Sequence, residues 1–334
     1  MPDSERQPSD ILWSPPPARV AVSAMTKLMT DLAGAHGAPR DDDAAFHRWT
    51  VKHSDLLWRH VWDDCGIVGD PGAVVVEESD KTPGARWFPE ASLNYAENLL
   101  RARRADSAAV IFRREDGQAQ RLTYKDLCDQ ASRCAQLLKA AGVTAGDRVA
   151  AYMPNCPETV IAMLAAASLG AVFSSASPDF GRRGVLDRFG QIEPKVLIAA
   201  NGYVYNGKTH SRTDTLRDII KELPSLVKVL VVDFVDLETD ISVLPHAVMW
   251  RDALGQYAPA PISFTRVPFD HPLFIMYSSG TTGAPKCIVH GHGGTLLQHL
   301  KEHRYHLDTG TGDRVFYFTT CGWMMWNWLV SALA

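Results

Sequence analysis

From residue 108 onward short apolar runs alternate with amphipathic stretches, and this alternation restricts the fold more than any other feature of the chain. The segments "AAVIFRRE", "DRVAAYMP", "KVLIAA", "VKVLVVDF", "LFIMYSS" and "RVFYFTT" read as strands. Between them, "TYKDLCDQASRCAQLLKAAG" reads as a helix stopped by Gly142, and "PETVIAMLAAASLG" as a helix with Pro157 in its first turn. Strands separated by helices predict parallel sheets covered on both faces, because a parallel crossover needs a long connection and the helices supply it. The expected fold class is α/β. Residues 159–176 are apolar enough to raise the question of a membrane span, but Ser168, Gly170, Ser174 and Ser175 interrupt them. A buried helix running into a strand explains that stretch better.

Ahead of the alternating part, residues 20–66 have a helical period, with Trp49, Trp58 and Trp62 joining Phe46, Leu57 and Val61 on one apolar face that reads as helical core. A connector follows and ends in a helix over 94–103. The expected organisation is a disordered tail over 1–19, a helical and connector segment over 20–103, and an α/β domain over 104–334. A chain of 334 residues, 46% hydrophobic, has room for about two domains. The net charge of −4 comes from interspersed acids and bases with no basic block, which argues against a nucleic-acid partner. The N-terminus is polar and rich in proline where a signal peptide would be basic and then apolar, so a frayed tail and a cytoplasmic protein are expected. Six scattered cysteines lack CxxC spacing and read as reduced packing thiols. The last residues, "MMWNWLVSALA", stop inside an apolar run. That ending reads as a chain cut short, with Trp326, Trp328, Leu329, Val330 and Leu333 left uncovered and self-association as the consequence.

Where the apolar run "LFIMY" ends, the chain breaks into "SSGTTGAPKCIVHGHGG". Gly280 and Gly283 let backbone N–H groups approach an anion with no side chain intervening. Ser278, Ser279, Thr281 and Thr282 add hydroxyl donors, and Lys286 adds a positive charge. So many donors directly after a strand suit phosphate oxygens and argue against the bland alternative, a flexible Gly/Ser loop. The glycines of "GTTGAPK" are only three apart and no Ser or Thr follows the lysine, so this is not the loop of kinases and GTPases. Histidines follow at 290, 292, 299, 303 and 306, with His299 and His303 an i, i+4 pair. No cysteine or acidic ligand completes a set at familiar spacing, so no metal site is expected there.

The loop resembles the phosphate-binding signature of the adenylate-forming superfamily, which includes acyl-CoA synthetases, luciferases and peptide-synthetase adenylation domains. Other segments agree with it in order and spacing: "LTYKDL" before a long helix, "GDRVAAYMPNCPETVIAMLAAASLGAVFSSASPDF", and "TTCGWMMWN" downstream of the loop. Within the superfamily, "HRWTVKHSDLLWRHVWDDCGIVGD", "RWFPEASLNYAENLLR" and "SPDFGRRGVLDRFGQIEPKVLI" look most like the acetoacetyl-CoA synthetases, relatives of the acetyl-CoA synthetases. The resemblance covers nearly everything after residue 20.

It implies a two-step reaction in which acetoacetate attacks the α-phosphorus of ATP, giving an acyl-adenylate and pyrophosphate, and the CoA thiolate then displaces AMP. By the same resemblance Ser278, Ser279, Gly280, Thr281, Thr282 and Gly283 hold the β- and γ-phosphates. Lys286 anchors the loop or the leaving pyrophosphate, and Lys286 and Thr282 are the expected catalytic pair. Trp323, Met324 and Met325 stand where that family lines the acyl pocket; core packing is the alternative for Met325 and Trp326. Lys208, in "NGYVYNGKTH", stands near a turn that contacts CoA in the acetyl-CoA synthetases, although Tyr205 breaks the pattern and a single lysine is more often simply solvated. The family's adenine-stacking segment, its Mg2+-positioning Thr-Glu, its ribose-binding aspartate, and its mobile C-terminal domain with a catalytic lysine are not among these residues. A fragment unable to complete catalysis is therefore expected, and a CoA ligase for another short acid or a non-catalytic nucleotide-binding remnant are the alternatives. Its small-molecule partners would be acetoacetate, ATP and CoA, with no membrane.

Overall fold

The computed structural model of the chain describes residues 12–101, 105–278 and 283–334. The described residues form two compact units, one within 12–65 and 300–313 and the other within 66–299 and 314–334. The first is helical. Its helices Pro17–Val22, Ala24–His36, Asp43–Lys52 and Ser54–Asp64 are separated by caps that the sequence supplies: the side chain of Ser23 accepts from the Thr26 N–H, and that of Asp42 from the Ala45 N–H. Gly37, at φ 68°, closes the Ala24–His36 helix in the left-handed conformation that glycine adopts without a Cβ penalty. Leu28, Leu32, Val61 and Trp62 are buried at its core, while Trp49 and Trp58 are half-buried. The apolar face expected over 20–66 is thus a packing face.

The second unit is built on a seven-stranded sheet. Its strands in chain order are β1 (Arg148–Tyr152), β2 (Val172–Ala176), β3 (Val196–Ala200), β4 (Lys228–Val232), β5 (Ala247–Met249), β6 (Pro272–Tyr277) and β7 (Cys287–Gly291). They lie in the order β5-β4-β3-β1-β2-β6-β7. All neighbours are parallel except β7, which runs antiparallel to β6 with Tyr277 opposite Cys287. The interior strands β2 and β3 are buried at every position, which is why β3 reads as a continuous apolar run and not as an alternating one, while in β2 the buried Ser174 hydroxyl donates to the Ile275 carbonyl at 2.8 Å. One face packs on the helices Arg182–Phe189 and Thr213–Lys221 through Tyr152, Leu197, Ala199, Val185, Phe189, Leu216 and Ile219. The helices Tyr124–Ala140 and Pro157–Ser168 pack on each other, and eleven of the twelve residues of the latter are buried. The run 159–176 is accordingly helix and strand in a protein core, and among the described residues no helix is long and apolar enough to cross a membrane.

The local signals act where the chemistry says they should. Thr123 and Asp126 form a reciprocal capping box at the start of Tyr124–Ala140, and Gly142, at φ 79°, follows its end. The helix Tyr95–Leu100 is shorter than the 94–103 expected, since Asn94 is its N-cap and Arg101 leaves helical geometry. Two further expectations fail. "RVFYFTT" forms no strand: residues 313–320 have no ladder partner among the described residues, and apolar alternation becomes a strand only when a neighbouring edge takes up its backbone groups. The last helix, Met324–Ser331, is not uncovered either. Trp326, Trp328, Val330 and Leu333 are buried, because Trp326 stacks on Phe173 and the Tyr124 hydroxyl donates to the Leu333 carbonyl at 2.8 Å. Its first residue Met324 and the preceding Trp323 do face solvent, and the more exposed apolar side chains nearby lie earlier, at Phe316 (83% exposed) and Phe318 (90%).

Candidate functional site

In an open parallel sheet the carboxyl ends of the strands form one edge, and ligands bind in crevices along it where the strand order reverses. Here β1 leads to β2 on one side, and the chain then returns to β3 on the other side of β1. Each segment singled out from the sequence leaves the sheet on this edge. The donor-rich loop joins β6 to β7, the Lys208 hairpin follows β3, and the Trp323 turn rests on the end of β2.

Residues Ser279, Gly280, Thr281 and Thr282 lie outside the described residues. The two arms around them are described. Ser278 is half-buried and its N–H donates to the Lys286 carbonyl at 3.0 Å, which closes the base of the loop. Gly283 has φ 104°, a backbone conformation that side chains rarely tolerate. Lys286 is exposed. The Tyr277 ring lies inside the sheet edge with its hydroxyl 2.9 Å from Ser174 Oγ, and burial raises the phenol's pKa so that it stays protonated. Burial also raises the pKa of the Cys287 thiol, although that residue is exposed on the edge strand, so Cys287 has no thiolate character.

The turn before the last helix is tied directly to β2. Ser175 Oγ donates to the Cys321 carbonyl at 2.6 Å, and a Cβ on Gly322 would come within 3.6 Å of the Ser177 backbone N. Trp323 is the N-cap of Met324–Ser331; Trp323 and Met324 are exposed and Met325 is half-buried. Trp326, by contrast, belongs to the core, with its indole N–H donated to Asn155 Oδ1 at 2.9 Å. Asn327 Nδ2 lies 3.1 Å from the sulfur of Met276 on β6. The Trp323 turn and the described arms of the donor-rich loop therefore stand at adjacent strands, β2 and β6. Lys208 stands apart from them, two strands away from β2. It follows a tight Asn206-Gly207 turn with both φ values positive, in the hairpin of Gly202–Tyr205 and Lys208–Ser211, and is exposed.

Several residues that organise this edge carry no mark in the sequence. The Tyr152 hydroxyl, at the end of β1, lies 2.9 Å from the Pro178 carbonyl and 2.6 Å from that of Phe180, and so fixes the loop after β2. Burial pushes its pKa up to about 12, which keeps the donor proton in place. Arg212 Nε donates to the same Pro178 carbonyl at 2.6 Å. Gln191 Nε2 donates to the Pro285 carbonyl at 2.9 Å, and the Cys287 thiol donates to Gln191 Oε1 at 3.7 Å. The amide of Gln191 thus holds the residues on either side of Lys286. No spacing rule could have found it, because the two segments are nearly a hundred residues apart.

Among the described residues the one group of potential metal ligands is Asp31, His60 and Asp64, in the helical unit. Lys27 already pairs with Asp31, and Arg304 Nε lies 2.7 Å from Asp64, so cationic side chains occupy the place of an ion. Of the i, i+4 pair noted in the sequence, His299 lies in the helix His292–Lys301 and His303 in the π-helical turn Glu302–His306 that follows.

Residues 99–333 match the AMP-binding enzyme family. An acetoacetyl-coenzyme A synthetase of Rhizobium meliloti (strain 1021) is 48% identical over 97% of this chain and 49% of its own length. A malonamoyl-CoA synthetase of Penicillium aethiopicum is 42% identical over 86% of this chain and 42% of its own. The solved acetoacetyl-CoA synthetase from Streptomyces lividans superposes with a TM-score of 0.91 at 43% identity, over 96% of this chain and 49% of that one. The chain spans about half the length of the curated relatives it matches.

Proposed function

This chain belongs to the AMP-binding enzyme family, and from that premise we propose that it carries the phosphate loop and acyl-pocket turn of an acid–thiol ligase that activates acetoacetate with ATP and transfers the acyl group to CoA. The observation that carries the reading is the placement of the donor-rich loop and the Trp323 turn side by side, over the carboxyl ends of β6 and β2. An acyl-phosphate bond forms where a carboxylate meets the α-phosphorus, and these two anions repel each other. Catalysis therefore needs positioning and positive charge more than it needs a nucleophilic side chain. Ser278 and Gly283, with Ser279, Gly280, Thr281 and Thr282, hold the β- and γ-phosphates, and Lys286 offsets the charge that develops on departing pyrophosphate. Trp323, Met324 and Met325 form the acyl wall, where a flat apolar ring and adaptable thioethers suit a short keto acid. Lys208 is the candidate contact for the phosphates of CoA.

Mg2+ would neutralise phosphate charge in such a reaction. Among the described residues no cluster of acids faces the loop to hold it, so no step here is assigned to the ion. The test is product analysis on the protein from its native source, supplied with acetoacetate, ATP, CoA and Mg2+. AMP and pyrophosphate are expected. ADP and phosphate as products would overturn the reading, and turnover of another short acid in place of acetoacetate would keep the reaction class and change the substrate.

A further inference from the structure

The helix Arg182–Phe189 carries three arginines, two of which have carboxylate partners. Arg182 pairs with Glu222, and Arg183 Nε lies 3.8 Å from Asp187. Arg188, in the last turn, has none among the described residues. Its guanidinium instead lies 4.5 Å from the centroid of the Phe180 ring and 5.7 Å from that of Tyr277, and Nη1 donates to the Gly184 carbonyl at 2.7 Å. The side chain is half-buried. A cation held over two aromatic faces is fixed in place and partly stripped of water, yet the rings do not neutralise it. The remaining guanidinium N–H groups keep their capacity for an anion.

Its position says which anion. Tyr277 is the last residue of β6 before the donor-rich loop, and Phe180 lies against the turn that carries Trp323, its ring 3.9 Å from where a Cβ of Gly322 would sit. Gln191, three residues beyond Arg188, grips the returning arm of the loop through Pro285 and Cys287. The end of this helix therefore touches both arms of the loop, and Arg188 is the cation it brings to the mouth. We propose that Arg188 is a second cation for the diphosphate group of bound ATP, acting beside Lys286. This rests on the reading of the β6–β7 connection as a phosphate loop. A guanidinium suits the task because its planar fork can donate two parallel hydrogen bonds to phosphate oxygens, which an ammonium cannot do.

The probe is inorganic pyrophosphate, titrated into the chain and followed by its 31P resonance, with ATP and CoA as competitors. Arg188→Met keeps the apolar stem that packs on Phe180 and Tyr277 while removing the charge, and Arg188→Lys restores the charge without the fork. The expected result is binding about ten-fold weaker in Arg188→Met, recovery to within about three-fold in Arg188→Lys, and displacement by ATP. Wild-type affinity in Arg188→Met would overturn the proposal, as would equal loss in both variants or displacement by CoA alone. A folded wild-type chain that does not bind pyrophosphate would overturn the phosphate-loop reading together with this one. Circular dichroism of each variant separates lost binding from lost folding, and a variant that fails to fold is replaced by Arg188→Gln, for which the same ten-fold loss is expected.

Discussion

Lys286 and His292 lie six residues apart and show how differently one short stretch can use its cationic side chains. Lys286 is exposed at the mouth of the loop, so truncating it removes charge and leaves no cavity. On the proposed reading, Lys286→Ala made in the protein from its native source is expected to slow adenylate formation roughly a hundred-fold while leaving the KM for the carboxylate nearly unchanged, because the proposed partner of the lysine is phosphate. Pyrophosphate exchange measures it, and an unchanged exchange rate would remove Lys286 from the site. His292 is fully buried, and its Nδ1 accepts the Tyr95 backbone N–H at 3.2 Å, which puts the ring proton on Nε2. Burial, with the His271 ring 5.6 Å away, lowers its pKa to about 3. The unfolded chain therefore binds this proton below pH 6.5 while the folded chain refuses it. The associated stability is present above pH 6.5 and is lost progressively as the pH falls toward 3, amounting to about 2 kcal/mol between pH 7 and pH 5. His292→Asn keeps an acceptor for Tyr95 and cannot be protonated, so urea unfolding at several pH values should show a flatter acid limb in the variant. Neither role of His292 was legible in the sequence, where it was one of five histidines after a loop. Burial and the distant Tyr95 amide decide it.

Among elements, the helix His292–Lys301 contains a contrast between two neighbouring glycines. A Cβ on Gly293 would lie 2.0 Å from Cδ2 and 2.3 Å from Cε2 of Phe269, whose ring is buried and stacks on Phe88. At Gly294 the nearest atom of the same ring would be 4.0 Å away. Gly293→Ala is thus expected to destabilise the protein by about 2 kcal/mol through overpacking. Gly294→Ala should be neutral or stabilising by up to about 1 kcal/mol, since alanine is the better helix former. Thermal melts of the two variants check the pair, and equal effects would mean that the Phe269 contact does not govern the position. The sequence predicted β6 and the glycine-rich break after it, because apolar runs and glycine-rich breaks are local signals, but not β7, which lies between that break and the helix. It could not say which glycine the helix needs for close approach, since Phe269 comes from an earlier segment.

For the whole molecule, the exposed apolar side chains of residues 316–318 are the feature a chain in water is least expected to leave uncovered. Phe316, Tyr317 and Phe318 sit in a segment with no ladder partner among the described residues, and an apolar surface of several hundred Å2 tends to recruit a neighbour. Self-association through this segment is therefore expected of the chain. Light scattering should show it concentration-dependent in the wild type and largely lost in the Phe316→Glu, Phe318→Glu double variant. A monomeric wild type at all concentrations would refute it. The segment responsible differs from the one the sequence indicated. The terminal tryptophans looked uncovered because they end the chain, but Trp326 stacks on Phe173 and Trp328 meets the Tyr317 ring edge-on.

Leaving the helices Arg182–Phe189 and Thr213–Lys221 unread, the sequence by itself determined the fold class, most of the strands of the sheet and the helices Tyr124–Ala140 and Pro157–Ser168, and the loop whose residue types suit phosphate. Each of these is written in local signals: apolar period, caps such as Thr123 and Gly142, and a run of hydroxyls, glycines and a lysine. Only the tertiary structure decided which residues meet. It put the Trp323 turn beside the β6 arm of the loop by pairing β2 with β6, seated Trp326 in the core, set Gln191 around Lys286, and laid Arg188 over the Tyr277 ring with no carboxylate partner among the described residues. The reason is physical. Hydrogen bonds, burial and charge compensation depend on neighbours that folding supplies from up to hundreds of residues away, whereas propensity depends only on the few residues next in the chain.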